Sequence, residues 1–351
     1  MKKPINTLDP NKWKISLPIH PPDDVSDNSE RSTYRSCMRL GLYQYGLQRG
    51  MIGINFSFQF GTAYHDFRER MEDLMREMDE PELTDEIFDK ALEYATRSWE
   101  DPPIGHPKEF LDYGRLTRTC MEAAIRVKQE IKSGQVTIMR SEDSFDLELP
   151  YVVCYACGNA WLVEVEDYQE RYSCQQCGKE EGRRARHGGR SDQFTKFLGG
   201  LHVRDFKTTS YKHRYLFQKY EMNSQTQGYY WAGSLLSGRR FDGVLIEQVY
   251  NTKRQGPDIS QIAIEMSAGA IEQWIASQMM WDSFIRTAYS RVGELGYLAF
   301  PQNTEHCTQY GLCKFYGACQ ESSGKLIDKW LEAFTVEKVW DFTNPDGDDD
   351  E

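Results

Sequence analysis

The sequence predicts an α/β protein built around a small mixed sheet. Three observations carry that expectation. Helical stretches at 31–48, 62–78, 84–99 and 108–133 come first, and in 62–78 apolar residues recur at three- and four-residue spacing, the pattern of a helix with one buried face. Strand-like segments follow at 136–150, 188–208, 242–250 and 259–266. Helical stretches near 222–237 and 269–295 separate and close them, and this order of elements suits a layered α/β fold.

Taken in order, residues 1–30 are polar and proline-bearing, and read as an irregular arm. Residues 31–48, RSTYRSCMRLGLYQYGLQ, read as helix. Gly61 is expected to open the next, 62-TAYHDFRERMEDLMREM-78. Tyr64, Phe67, Met71, Leu74, Met75 and Met78 fall on one of its faces. Thr84 suits the N-cap of a helix over 84–99, and a third helix covers 108–133. After a strand at 136–150, residues 151–182 form a cysteine-bearing insert. Gly199-Gly200 then reads as the tight turn of a hairpin over 188–208. Alternation puts Leu201, Val203, Asp205 and Lys207 on one face of its second strand. Charged groups on a sheet face are paired or bind something. The residues alone leave open a structural Asp–Lys pair or a binding site.

At 351 residues the chain can bury a large core, in one elaborated domain or two. Its formal charge is −12, but the run 346-DGDDDE-351 reads as a solvated acidic tail. Basic residues gather at 183-RRARHGGR-190 and 212-KHR-214, so net charge does not exclude a nucleic-acid partner. Arg183, Arg184, Arg186 and Arg190 are candidate phosphate contacts, or simply a solvated loop. The N-terminus has no apolar core of a signal peptide, and no run approaches the roughly 20 apolar residues of a membrane helix. A cytoplasmic protein with no membrane partner is expected. Nine cysteines in such a protein suggest metal before disulfide.

Cys154, Cys157, Cys174 and Cys177 form two C-x-x-C pairs, each followed by glycine. That spacing is a zinc ribbon's, and four thiolates leave no open coordination position, so the zinc would be structural. Reduced free thiols or a redox pair is the plainer alternative. Cys307, Cys313 and Cys319 stand with five residues between neighbours. Three thiolates need a fourth, and Cys37 and Cys120 remain. Spacing does not choose between an iron–sulfur cluster, zinc and incidental cysteines.

Several motifs converge on a family. The chain resembles RecB-type nucleases of the PD-(D/E)XK superfamily over about residues 31–320. It looks most like the branch with a cysteine-bound iron–sulfur cluster, which includes CRISPR-associated RecB-like nucleases, the AddB nuclease domain and phage exonucleases. The family's glycine followed by a helical histidine matches 61-GTAYH-65, and its G-x-x-D motif matches 189-GRSD-192. Its D-x-K motif matches 205-DFK-207, and its Q-x-x-x-Y motif matches 225-QTQGY-229. One cysteine before the histidine and three after the core match Cys37, Cys307, Cys313 and Cys319. Two features depart from the family. The ribbon is an insertion the family does not generally carry, and the late cysteines are spaced five and five where CRISPR-associated members have two and five.

The resemblance implies a restriction-endonuclease-like core with its sheet flanked by helices. The arm at 1–30 would be followed by a helical part at 31–150, which begins the nuclease core. The zinc-ribbon insertion would lie at 151–182, the rest of the core at 183–300, an iron–sulfur segment closing with Cys37 at 301–322, and a C-terminal segment at 323–351. His65, Asp192, Asp205 and the Phe206 carbonyl would hold Mg²⁺ or Mn²⁺, because hard cations take oxygen ligands and imidazole adds softness. Lys207 would orient the attacking water and stabilise charge at phosphorus. Gln225 and Tyr229 would position Lys207 or the scissile phosphate, and Thr208 and Thr209 are candidate phosphate contacts. Cys37, Cys307, Cys313 and Cys319 would hold a [4Fe-4S] cluster. The implied activity is DNA hydrolysis, as an exonuclease on single-stranded DNA or ends. Its setting would be phage replication, recombination, repair or CRISPR-type processing, with a matching protein partner and, if phage-encoded, in the host cytoplasm. A DNA-binding or assembly module with little activity is the alternative, and a redox-responsive regulator is a further one.

Overall fold

The structure, a computed structural model, describes residues 9–22, 25–78, 83–164, 166–210, 216–309 and 311–341. The acidic run 346–351, the basic residues 212–214 and the first eight residues of the arm lie outside these. In chain order the elements are β1 Val25–Ser26, α1 Asn28–Ser36, α2 Met38–Gly41, β2 Arg49–Met51, α3 Phe56–Glu77, α4 Asp85–Ala95 and α5 Tyr113–Lys132. Next come β3 Val136–Cys154, β4 Ala160–Leu162, β5 Gly182–Phe197, β6 Gly200–Thr209, α6 Leu216–Glu221, α7 Ser224–Ser237, β7 Gly243–Tyr250 and β8 Asp258–Glu265. The chain ends with α8 Ala268–Ser290, α9 Val292–Leu295, α10 Tyr316–Gln320, α11 Gly324–Phe334 and β9 Thr335–Glu337. This is the expected α/β fold with a mixed sheet flanked by helices. No helix among the described residues is long and apolar enough to cross a membrane.

Two compact units divide the chain. The first comprises Gly53–Phe145 and Arg190–Ile271. Its sheet runs β3-β5-β6-β7-β8. β5 pairs antiparallel with β6, β6 parallel with β7, and β7 antiparallel with β8. The parallel pair requires a crossover, which α6 and α7 supply. On one sheet face, Phe206 and Val249 pack with α3, α4 and α5 through Phe60, Tyr64, Phe67 and Ile87 among others. On the other, α7 lies so close that a Cβ on Gly233 would stand 2.7 Å from Val203 Cγ2. Val203 shares its face with Asp205 and Lys207.

Two local expectations change. Gly61 does not open α3. The helix starts at Phe56, where the Asn55 side chain accepts from the Phe58 amide as an N-cap does. Gly61 lies inside it, where a Cβ would meet Thr208 Oγ1 at 3.1 Å, so the glycine permits close approach to the end of β6. The hairpin turn is Leu198-Gly199, with Phe197 paired to Gly200. Both turn residues have positive φ, 48° and 90°, as the right-handed strand twist demands of a two-residue loop. The expected cap of α4 is present, since Thr84 Oγ1 accepts from Ile87 N at 3.3 Å. Cys120 is a core residue of this unit.

The second unit comprises Met1–Ile52, Asp146–Gly189 and Glu272–Glu351. Its core gathers Tyr34, Leu42, Tyr43, Ile285, Tyr297, Phe300, Phe315 and Leu331. The helix expected over 31–48 breaks at Cys37, whose backbone is extended, giving α1, α2 and then a wider π-type turn over Leu42–Gly46. β4 pairs with the end of β3, and β1 runs parallel to β5 at Arg186 and His187.

Candidate active site

Sheet pairing between β5 and β6 ends at Gln193 and Arg204. One step further, the Asp192 carboxylate takes the place of a backbone partner, and Phe206 N donates to Asp192 Oδ2 at 2.5 Å. The N–H and C=O of a strand residue leave toward the same neighbour. The Phe206 carbonyl therefore also points to the Asp192 side of β6, into a notch where the ladder has opened. Asp205 and Lys207 line this notch from β6, and Lys207 Nζ donates to Asp205 Oδ1 at 2.7 Å. His65 reaches it from α3, with Nδ1 3.3 Å from Asp192 Oδ1. Asp205 is 3% exposed, Asp192 11%, Lys207 26% and His65 27%, so the acids sit at the floor and the bases at the rim.

The two acids are driven apart in proton affinity. Burial and the neighbouring Asp192 charge raise Asp205 to about 6, against the pull of Lys207. Burial also disfavours ionised Asp192, but His65, Lys207 and the Phe206 amide outweigh it and hold Asp192 below the usual carboxylate range. Lys207 is opposed by burial, yet Asp205 and Asp192 raise its affinity for its proton and favour its charged form. A buried and a half-buried carboxylate beside a carbonyl and an imidazole are a donor set suited to a divalent cation such as Mg²⁺ or Mn²⁺.

Gln225 Nε2 donates to Tyr229 Oη at 3.0 Å, one turn apart on α7. Tyr220, on α6 just before them, feels the charges of Lys207 and Asp205. Sequence reasoning missed Tyr220. It also missed Glu69, one helical turn beyond His65, which pairs with Arg190 at 3.0 Å and lies close enough to Asp192 to feel its charge.

The larger omission is a buried ionic network on the α3 face of the sheet. Glu247 accepts from Arg68, Arg204 and Tyr64, and from Gln261 Nε2 at 3.0 Å. Arg204 also reaches Glu130 at 2.9 Å, and Arg68 reaches Glu72 at 3.2 Å. Both guanidiniums lie over the Phe206 ring, at 4.2 Å for Arg68 and 5.6 Å for Arg204. They thereby hold the residue between Asp205 and Lys207. A lone glutamate inside 243-GVLIEQVY-250 was the available signal, since a charge in a buried strand demands partners.

Residues 28–320 match the PD-(D/E)XK nuclease superfamily. The chain belongs to that superfamily. Among solved structures, SSO0001 is similar at 13% identity, covering 63% of this nuclease and 73% of that chain with a TM-score of 0.25. A candidate exonuclease from Eubacterium rectale is similar at 12% identity, covering 83% and 90% with a TM-score of 0.38. No curated protein matches the sequence.

In the nuclease's other unit the sulfurs of Cys154, Cys157, Cys174 and Cys177 all lie within 4.8 Å of one another. Cys154 to Cys177 and Cys157 to Cys174 are each 3.7 Å. Four sulfurs at 2.3 Å from one tetrahedral zinc would be about 3.8 Å apart, so the cage has a zinc site's dimensions. The two knuckles repeat each other. Gly158 N donates to Cys154 O at 2.8 Å and Gly178 N to Cys174 O at 2.9 Å, both glycines at positive φ. Burial resists thiolate formation at Cys174, but the Cys177 and Gln176 amides bring it down to about 7.

Cys37, Cys307, Cys313 and Cys319 also come together. Cys307 feels Cys313 and Cys37, and Cys319 feels Cys37 and Cys313. Asn303 N lies 3.4 Å from Cys37 Sγ, and Cys313 N donates to Cys307 O at 2.8 Å. Four thiol groups gathered in one place are a donor set for a metal ion or an iron–sulfur cluster.

The basic run 183–190 is tied into the fold. Arg184 is buried and donates to Glu164 O at 2.9 Å and Asp167 O at 2.8 Å. Arg186 pairs with Asp146 at 2.8 Å, and Arg183 lies 4.7 Å over the Tyr155 ring.

Proposed function

We propose that this nuclease is a Mg²⁺- or Mn²⁺-dependent exonuclease acting on single-stranded DNA or DNA ends. The observation that carries the reading is the meeting of Asp192, Asp205, Lys207 and His65 in the notch where β5 and β6 part. Asp192, Asp205, His65 and the Phe206 carbonyl would hold the cation. A divalent cation, when bound, supplies an activated water near neutral pH and offsets charge on the phosphate. The Phe206 amide fixes the Asp192 carboxylate in place. Lys207, kept charged by both acids, orients the water and meets the charge that develops on the phosphate oxygens. Gln225 and Tyr229 hold the nearby face of the cleft, with Tyr220 beside the Lys207–Asp205 pair. Structural zinc in the ribbon and a [4Fe-4S] cluster on Cys37, Cys307, Cys313 and Cys319 complete the assignment. The setting is phage replication, recombination or repair, or CRISPR-type processing.

The test is cleavage of end-labelled single- and double-stranded linear DNA and of closed circles, with Mg²⁺, Mn²⁺ or EDTA, using anaerobically purified protein. Metal-dependent loss of linear DNA alone is expected, and it should be absent in Asp205→Ala. Cutting of circles would replace the exonuclease with an endonuclease. A fully active Asp205→Ala protein would remove the site assignment.

A further inference from the structure

Beyond Lys207 the strand β6 runs into a second polar hollow. It opens to solvent, has a volume of about 40 Å³, and is lined by Ser57, Thr208, Thr209, Ser210 and Asn251, with Phe60 and Leu111 completing its wall. Lys108 Nζ donates to Ser210 Oγ at 3.0 Å, bringing a cation to the same place. Thr208 stands 3.1 Å from where a Gly61 Cβ would be, so the glycine leaves this wall of the hollow uncrowded. Asn251 forms a fixed floor. Its amide donates to Thr209 O at 2.8 Å and its side chain to Thr119 Oγ1 at 3.2 Å. Four hydroxyl-bearing residues and an ammonium, with no carboxylate among the lining residues, make an environment for an oxyanion. Thr208 and Thr209 follow Asp205 by three and four residues, about 10–13 Å along a strand.

We propose that this hollow is a phosphate subsite. It takes a phosphate of the bound strand next to, or one beyond, the linkage held at Asp192 and Asp205, with Lys108 as its charged contact. The inference rests on the reading of the chain as a DNA nuclease, and it adds a register for the strand in the cleft. A phosphate group here could be an internal diester or a terminal monoester. The shared chemistry is the same, and the test separates them.

The experiment compares wild type, Lys108→Ala, Lys108→Arg and Thr208→Val as full-length proteins. Binding of a fluorescein-labelled single-stranded oligonucleotide is followed by anisotropy in EDTA across a salt series, and steady-state cleavage is measured in Mg²⁺. Loss of one phosphate contact should reduce the salt slope of binding by about 0.7 in Lys108→Ala. A charged hydrogen bond lost from uniform binding should raise KM roughly tenfold with kcat within about twofold. Lys108→Arg should retain the wild-type slope. If the KM effect appears only on phosphorylated ends, the ligand is a terminal monoester, and if it is equal on phosphorylated and hydroxyl ends, it is an internal diester. Unchanged slope and KM in both Lys108→Ala and Thr208→Val would overturn the subsite and leave the nuclease reading standing. A changed slope in a protein that cleaves nothing would support the subsite while the nuclease reading falls.

Discussion

Replacing Glu247 with alanine should destabilise the catalytic unit more than any surface substitution. Glu247 is fully buried, as are Arg68 and Arg204, which it joins. Burial works against its ionisation, but the two guanidiniums outweigh that and hold it well below the usual carboxylate range. Truncation removes the shared anion and leaves two buried cations. Breaking a buried pair from one side costs about 3–5 kcal/mol. Tyr64 and Gln261 also lose an acceptor, at about 1–3 kcal/mol each if nothing replaces it. These losses do not add, because Glu72 still faces Arg68 and Glu130 still faces Arg204. The expected loss is therefore about 4–5 kcal/mol. With a urea slope of about 2 kcal/mol/M, the unfolding midpoint should fall by roughly 2 M. Urea titration followed by tryptophan fluorescence and far-UV circular dichroism, with Glu247→Gln beside it, measures this. The glutamine keeps hydrogen bonding but not charge, and should fall between wild type and alanine. A loss below about 1 kcal/mol at unchanged slope would refute the claim that Glu247 is the common counterion of both arginines.

Mg²⁺ affinity, measured by calorimetry, should weaken by more than tenfold per pH unit below pH 6, because the cation competes with protons on both Asp205 and His65. A flat affinity between pH 5 and 7 would exclude Asp205 as a ligand. The ribbon should carry one zinc per chain by elemental analysis, and Cys157→Ser should lose it, because one thiolate of the cage is gone. Burial and the Asp27 charge raise Glu30 to about 8, so the folded chain holds a proton there that the unfolded chain releases above about 4.5. Stability from this site therefore falls as pH rises from about 4.5 to about 8, by at most about 5 kcal/mol. Glu30→Gln should raise the unfolding midpoint at pH 8 and flatten its pH dependence, and equal midpoints at pH 8 would contradict the assignment.

Much of the site was legible because its residues obey short-range rules. Alternation put Asp205 and Lys207 on one strand face, and the two C-x-x-C pairs dictated their own turns. The α3 stripe was visible too, although Met78 at its end is exposed. What sequence hid was long-range. The start of α3 depends on Asn55, a cap lying before an aromatic run that masks the helical period. Arg204 and Glu247 look like ordinary strand charges until β6 and β7 pair and α3 covers them. The arginines of 183–190 looked available for phosphate, but their partners Asp146, Glu164, Asp167 and Glu69 come from distant segments.

The bond from the Phe206 amide to Asp192 makes this carboxylate a wedge as well as a ligand. It occupies the position a backbone carbonyl of β5 would fill if the hairpin zipped one step further. A chain lacking that carboxylate need not keep a vacant cleft, since β5 and β6 could heal together and bury the Phe206 carbonyl. Inactivity of an Asp192 variant thus mixes a lost ligand with a closed seam. Asp205 has no such duty, which makes it the cleaner position from which to silence the protein.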